Sequence, residues 1–186
     1  MTDQPMTRPA EVMGIPKLVI RYSTDADRIA DLLPPGMTPW GEPTVTIGVY
    51  CVPVLGEPEF GISTKVPATW RGIDGQYSLG IGIDQEAAIF GSRETNGQPK
   101  FPCSIRYFRL GDGVQASATH QGHTFMTYSG SVSGTRQTDG PGSDNEEVED
   151  HEWWIKVSRA AGGAEKSYDF PPHVVHVRTA GIARYV

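Results

Sequence analysis

AAIFGSRETNGQPKF, residues 87–101, is the stretch from which the architecture follows. A short apolar helical run over 84–90 leads through Arg93 and Glu94 into a turn, and the turn delivers Lys100 between Pro99 and the apolar run Phe101-Pro102-Cys103. A lysine does covalent chemistry as a neutral amine, adding to a carbonyl to form a Schiff base. With a reference pKa of ~10.4, only about one lysine in 2,500 is neutral at pH 7, and moving that value to ~7 means destabilising the cation by roughly 4 to 5 kcal/mol. A proline-flanked turn with apolar neighbours is a place where desolvation does this. The other four lysines, Lys17, Lys65, Lys156 and Lys166, fall at strand edges or in polar turns and read as solvated.

Outward from this stretch the chain reads as short strands. Upstream, residues 76–83 (QYSLGIGI) form a strand whose Gly80 and Gly82 suit close approach of another backbone or a ligand. Residues 62–70 and 44–54 are strands before it, and residues 17–22 (KLVIRY) are the first, rich in β-branched side chains. Thr24 reads as a helix N-cap with Asp25 and Asp27 in the first turn, Ile29, Leu32 and Leu33 as one apolar face, and Pro34-Pro35 as the stop. Downstream, strands are expected over 104–110, 115–120, 124–131, 153–157 and 174–178. The 22 glycines and 15 prolines between these runs argue for a mainly β (α+β) architecture, a barrel or a sandwich.

A chain of 186 residues, 38% hydrophobic, supplies one domain with a real core. Residues 1–12 read as a loose polar arm, and the acidic run 139–152 (DGPGSDNEEVEDHE) as a solvated, mobile loop, since its spacing does not match a calcium-binding loop. A net charge of −6 with dispersed basic residues argues against nucleic acid or an anionic membrane as partner and leaves a small molecule. Two cysteines make no disulfide framework, the first residues lack the apolar core of a signal peptide, and no run reaches the ~20 apolar residues of a membrane span. A cytoplasmic protein is expected.

The ordered motifs resemble the acetoacetate decarboxylase superfamily, whose Schiff-base lysine ends a segment G-R-E, four variable residues, P-K. Here the segment is Ser92-Arg93-Glu94, then 95–98, then Pro99-Lys100. The likeness continues through Gly72-Ile73-Asp74-Gly75-Gln76-Tyr77 and Asp84-Gln85-Glu86-Ala87-Ala88-Ile89, and through Tyr22-Ser23-Thr24-Asp25 with Leu32-Leu33-Pro34-Pro35. It implies a closed, cone-like β-barrel with a few short peripheral helices, a homo-oligomer, no metal or organic cofactor, and a small oxo acid, ketone or diketone as substrate. The pattern also departs from the family. Phe101 stands where a second lysine follows the nucleophile, Gly61 where a carboxylate is expected in the segment Glu59-Phe60-Gly61, Gly14 near the substrate-binding arginine, and Thr46 near the other acid. The chain also stops soon after Tyr185, so groups that some members draw from a longer C-terminal part are expected to be missing. Lysine chemistry is thus expected more firmly than acetoacetate decarboxylation: a Schiff-base lyase of decarboxylase, retro-aldol or aldol-dehydratase type. Alternatives are a hydrolase of a ketone or lactone on the same scaffold and a non-catalytic binding module.

The catalytic set expected around Lys100 is Arg93 and Glu94, which either form an ion pair that fixes the turn or orient the lysine and bind a substrate carboxylate. Asn96 and Gln98 are candidate substrate contacts through their carboxamides, with an ordinary turn asparagine as the plain reading of Asn96. Tyr77 is either a cavity-lining phenol or, preferred, a core aromatic. His120 with His123, and His173 with His176, are H-x-x-H pairs; on a strand, residues three apart face opposite ways, so neither is built for a metal. Cys103 reads as a buried structural thiol.

Overall fold

The computed structural model describes residues 17–54, 56–133, 150–156 and 173–179. They form eleven strands and two helices: β1 (Lys17–Ser23), α1 (Ala26–Leu32), β2 (Met37–Thr38), β3 (Thr44–Val54), β4 (Glu57–Trp70), β5 (Ile73–Ile83), α2 (Glu86–Asn96), β6 (Lys100–Pro102), β7 (Ser104–Leu110), β8 (Gly113–His120), β9 (His123–Ser131), β10 (Asp150–Lys156) and β11 (His173–Thr179). The mainly β expectation holds. Among the described residues, however, neither sheet closes on itself: one runs β1-β3-β4-β5-β10-β11 with β2 on β4 and β6 on β5, and the other is β7-β8-β9. No closed barrel is seen in this part of the chain.

The second sheet packs on one face of the first. Val49, Ile62, Cys103, Ile105, Ala116 and Ala118 are buried between them, with Ile47, Phe60 and Phe101 at the margin. Alternation along β4 therefore sends Phe60 and Ile62 into this core, and Glu59, Gly61 and Ser63 to the other face. Across the hairpins the register keeps partners together: Tyr50 faces Gly61, and Gly61 faces Ile83. A register shift between Thr64 and Lys65 leaves Leu79 unpaired, so that Lys65 pairs with Ser78 and Ser63 with Ile81.

Two helices cover apolar patches of the large sheet. Ile29 of α1 is buried with Val45 and Val66, and Ala88 and Ile89 of α2 are buried against Ile81 and Ile83. Each departs from its sequence reading at an end. Asp25, not Thr24, is the N-cap of α1, its carboxylate accepting from the Asp27 amide at 2.8 Å, while the Thr24 amide is already held by the Pro43 carbonyl. The second helix does not stop near Phe90 but continues through Arg93, Glu94 and Asn96. Gly97 ends it at φ 67°, and the Gly97 and Gln98 amides donate to the Arg93 and Ser92 carbonyls. Glycine is required here, because a Cβ would also lie 2.7 Å from Lys156 Cα of β10.

Strand β4 begins at Glu57 rather than Ile62, and β10 begins at Asp150, inside the run read as an acidic loop. Residues 1–12 and 139–149, Gly14 and Lys166 lie outside the described residues. Among the described residues no helix is long and apolar enough to cross a membrane.

Candidate active site

Lys100 opens β6, which runs parallel to β5 with Lys100 opposite Ile81. Three backbone hydrogen bonds fix its approach. The Ile81 amide donates to the Pro99 carbonyl, the Lys100 amide to the Gln98 carbonyl at 2.7 Å, and the Cys103 amide to the Ile83 carbonyl. The turn read from the sequence is therefore the three residues after α2, which span from the helix end to the edge of β5. That edge is shared: β10 occupies it at Gln76 and Tyr77, β6 from Ile81 onward.

The Lys100 side chain is only 10% exposed, and its Nζ lies 3.6 Å from Oε2 of Glu59, which is 3% exposed. This partner was not singled out in the sequence, where the segment Glu59-Phe60-Gly61 pointed to a missing acid at Gly61. The acid is present two residues earlier on the same face of β4. Glu59 Oε2 is buried and has no hydrogen-bond partner among the described residues. Burial pushes the Glu59 carboxyl above the usual carboxylate range; the nearby Lys100 pulls it back, and Asp84 adds to the push.

A second ammonium–carboxylate pair stands on the same face. Lys65, read as solvated, bonds Glu152, and the same carboxylate accepts from Ser78 Oγ at 2.5 Å and from Trp154 Nε1 at 2.7 Å. Burial opposes charge on Glu152, but Lys65, Ser78 and Trp154 outweigh it and hold the carboxyl below its ordinary value. Between the pairs lies Tyr50. Its ring passes over the backbone of Gly61, where any Cβ would overlap ring carbons and come within 2.5 Å of the hydroxyl oxygen. Burial first, then the Glu59 and Glu152 carboxylates, push this phenol well above its usual value.

The other expected site residues divide. Arg93, Glu94 and Asn96 are exposed on α2, and Gln98 is half-buried next to Pro99, its carbonyl holding the Lys100 amide. Tyr77 packs with the clusters under α1, against Leu33, Val66 and Trp153, on the face opposite Lys65 and Ser78; this is the core reading. Thr46 pairs with Lys65 and carries no acid. His120 and His123 are not three apart on one strand but face each other across the β8–β9 turn, and His120 Nδ1 lies 2.6 Å from the Pro102 carbonyl oxygen. His173 and His176 belong to β11, and their side chains lie outside the described residues. Burial raises the Cys103 thiol above its usual value, in keeping with a structural role. A groove of ≈ 240 Å³ lined by Ile62, Thr64, Leu79, Gly80, Phe101 and Phe125 opens on the other side of the sheet from Lys100 and shares none of these polar groups.

A family model described as acetoacetate decarboxylase matches residues 2–181. The chain belongs to the acetoacetate decarboxylase family. It is 32% identical over 106 residues to the acetoacetate decarboxylases of Paraburkholderia phytofirmans and Paraburkholderia xenovorans, an overlap of 52% of this chain and 41% of either relative. Among solved structures it is similar to acetoacetate decarboxylase from Legionella pneumophila, with a TM-score of 0.69 at 19% identity, covering 87% of this chain and 63% of that one. It is also similar to the enduracididine biosynthesis enzyme MppR complexed with the condensation product of pyruvate and imidazole 4-carboxaldehyde, with a TM-score of 0.62 at 15% identity, covering 87% and 66%. At these identities the structures show a shared fold. The matched region spans less than half the length of the curated relatives.

Membership makes the departures at this site concrete. Phe101, in the place of the family's second lysine, points into the core between the sheets, 5.1 Å from the His120 ring in an edge-on contact. Gly61, in the place of an acid, is what admits the Tyr50 ring. A second cation on the face of Lys100 comes from β4 as Lys65, and it is already neutralised by Glu152, while the Lys17 side chain lies over Gly48 on the same face.

Proposed function

We propose that this chain carries the reactive centre of a Schiff-base lyase acting on a small oxo acid or diketone, with Lys100 as nucleophile and Glu59 as its proton carrier. The observation that supports this is the buried Lys100–Glu59 pair, in which one carboxylate oxygen has no hydrogen-bond donor of its own. Buried carboxylates are normally saturated, because an unsatisfied one costs several kcal/mol. An acid kept above its ordinary value next to an amine suits proton exchange with it.

In the proposed sequence Glu59 takes one proton from the Lys100 ammonium, and the free amine adds to the ketone carbon as the carbonyl π pair moves onto oxygen. A second nitrogen proton passes to that oxygen, giving a neutral carbinolamine. Glu59 then returns its proton to the carbinolamine hydroxyl, water leaves, and the iminium remains beside the Glu59 carboxylate. Two protons leave nitrogen and both end in the water. The iminium accepts the electron pair of a breaking neighbouring bond, whether the departing fragment is carbon dioxide or an aldehyde. The Legionella and Paraburkholderia relatives are acetoacetate decarboxylases, and MppR holds a condensation product of pyruvate with an aldehyde.

The test is reductive trapping with borohydride in the presence of pyruvate or acetoacetate, followed by peptide mapping. The expected result is an adduct on the peptide containing Lys100, of the mass of the reduced substrate, that disappears in Lys100→Arg. Turnover of an oxo acid with no adduct on Lys100 would falsify the covalent mechanism.

A further inference from the structure

We infer that Tyr50 is a catalytic residue of this centre: its hydroxyl is the fixed donor to the substrate's carbonyl oxygen while Lys100 adds to the carbon. The inference rests on the Schiff-base reading above. It starts from the cross-strand pair Tyr50–Gly61. Residue 61 faces the same side of β4 as Glu59, one pleat along, and it is the one residue type that lets a tyrosine ring lie flat on this strand. The sequence therefore spends a glycine inside a central strand, where glycine is unfavourable, to bring a phenol next to Glu59.

The hydroxyl so placed has no protein partner among the described residues, although the side chain is half-buried and Ser78, Trp154 and Lys65 all bond Glu152 close by. Glu59 Oε2 is buried with no hydrogen bond of its own, and the Tyr50 ring over Gly61 sets a phenol hydroxyl beside the same carboxylate. A ligand carrying a carbonyl that becomes a hydroxyl suits both groups, first accepting from the phenol and then donating to Glu59. Burial, and then the two carboxylates around the phenol, favour its protonated form, so it serves as a donor that keeps its proton throughout. As the carbonyl π pair moves onto oxygen, the Tyr50 hydrogen bond strengthens; the protons that make water still come from Lys100, through Glu59. A preorganised donor at the position where negative charge develops lowers the barrier without itself ionising.

The experiment compares rates of reductive labelling of Lys100 by pyruvate in the wild type, in Tyr50→Phe and in protein with 3-fluorotyrosine incorporated at position 50. Tyr50→Phe keeps the ring over Gly61 and removes only the hydroxyl. Labelling is expected to slow roughly 10²- to 10³-fold, the loss typical of one such donor, with the circular dichroism spectrum unchanged, and 3-fluorotyrosine is expected to restore it. If the wild type labels and Tyr50→Phe labels equally fast, Tyr50 is not the donor while the Lys100 mechanism stands. If the wild type fails to label while turning over substrate, the Schiff-base reading falls and this inference with it. Should Tyr50→Phe not fold, the fluorinated protein decides. It is expected to label at a rate near that of the wild type but with the alkaline limb of its pH profile moved to lower pH, because the fluorinated phenol is more acidic, and a pH profile identical to the wild type would overturn the assignment.

Discussion

Two ammonium–carboxylate pairs share one face of the large sheet, and they are built differently. Glu152 is saturated: Lys65, Ser78 and Trp154 all donate to it, and its carboxyl is held below its ordinary value. Glu59 has Lys100 at 3.6 Å and an oxygen with no hydrogen bond, and burial pushes its carboxyl the other way. A satisfied buried network fixes one arrangement of the chain, whereas a partly satisfied one is costly and persists where something else uses it. The contrast separates a pair that holds β4, β5 and β10 together from the pair proposed to exchange a proton. It also gives the two lysines different standing, although both carry a carboxylate partner.

Exchanging each acid for its amide is the most direct way to break the comparison. Glu59→Gln is expected to slow reductive labelling of Lys100 by roughly 10²- to 10⁴-fold, the range for losing a general acid–base group. Labelling that survives Glu59→Gln at the wild-type rate would reduce Glu59 to a counter-ion. Glu152→Gln acts on the fold instead. It leaves Lys65 without its counter-charge and weakens two further hydrogen bonds, and the expected cost is about 3 kcal/mol, the low end for breaking a buried pair because Lys65 keeps some contact with water. For a chain of this size that corresponds to a fall in Tm of about 6–12 °C, read by thermal unfolding. A Glu152→Gln protein that melts with the wild type would remove the structural half of the contrast.

The two pairs also predict opposite pH dependences of stability. For Glu152 the folded value lies below the unfolded one, so its contribution is complete above the ordinary carboxylate range and is lost as pH falls through the lowered folded value. For Glu59 the folded value lies above the unfolded one. The native state then holds the proton more tightly, and the contribution is largest below the ordinary range and is lost as pH rises through the raised folded value. Denaturant unfolding from pH 3 to 8 should therefore show a flattened acid limb in Glu152→Gln. In Glu59→Gln the difference from wild type should grow in the opposite direction, towards higher pH.

How far these features can be read without coordinates depends on whether they are local. The strand over 44–54 and the burial of Ile29 follow from alternation and spacing, which are local; Leu32, read onto the same apolar face as Ile29, is instead 52% exposed. The length of α2 was not legible, because Gly91, Ser92, Thr95 and Asn96 are poor helix formers and the stop depends on Gly97 meeting Lys156 of a distant strand. Glu59 was missed for a correctable reason: with β4 begun at Ile62, Glu59 and Gly61 fell outside the strand, and the face they share with Ser63 was not seen. Tyr50 reads in isolation as one more apolar residue in TVTIGVYCVPV; its position depends on a glycine across the hairpin. Glu152 ends an acidic run that looks solvated, and only the pairing of β10 with β5 brings it to Lys65.

The smallest effect is expected where the sequence placed the most chemistry after Lys100. Arg93 and Glu94 belong to the same motif as the lysine, yet both side chains are exposed on α2, and the contact that the helix end makes towards the site runs through the backbone of Ser92, Arg93 and Gln98. Truncating exposed helical side chains normally changes stability by no more than about 0.5 kcal/mol, and the same energy in a barrier is a factor of about 2 in rate. Arg93→Ala and Glu94→Ala should therefore each unfold within that margin of wild type and label at Lys100 within that factor. A loss beyond about tenfold in labelling with unchanged stability would mean that these side chains reach a reacting group and that the backbone contacts of the helix end are not its whole contribution to the site.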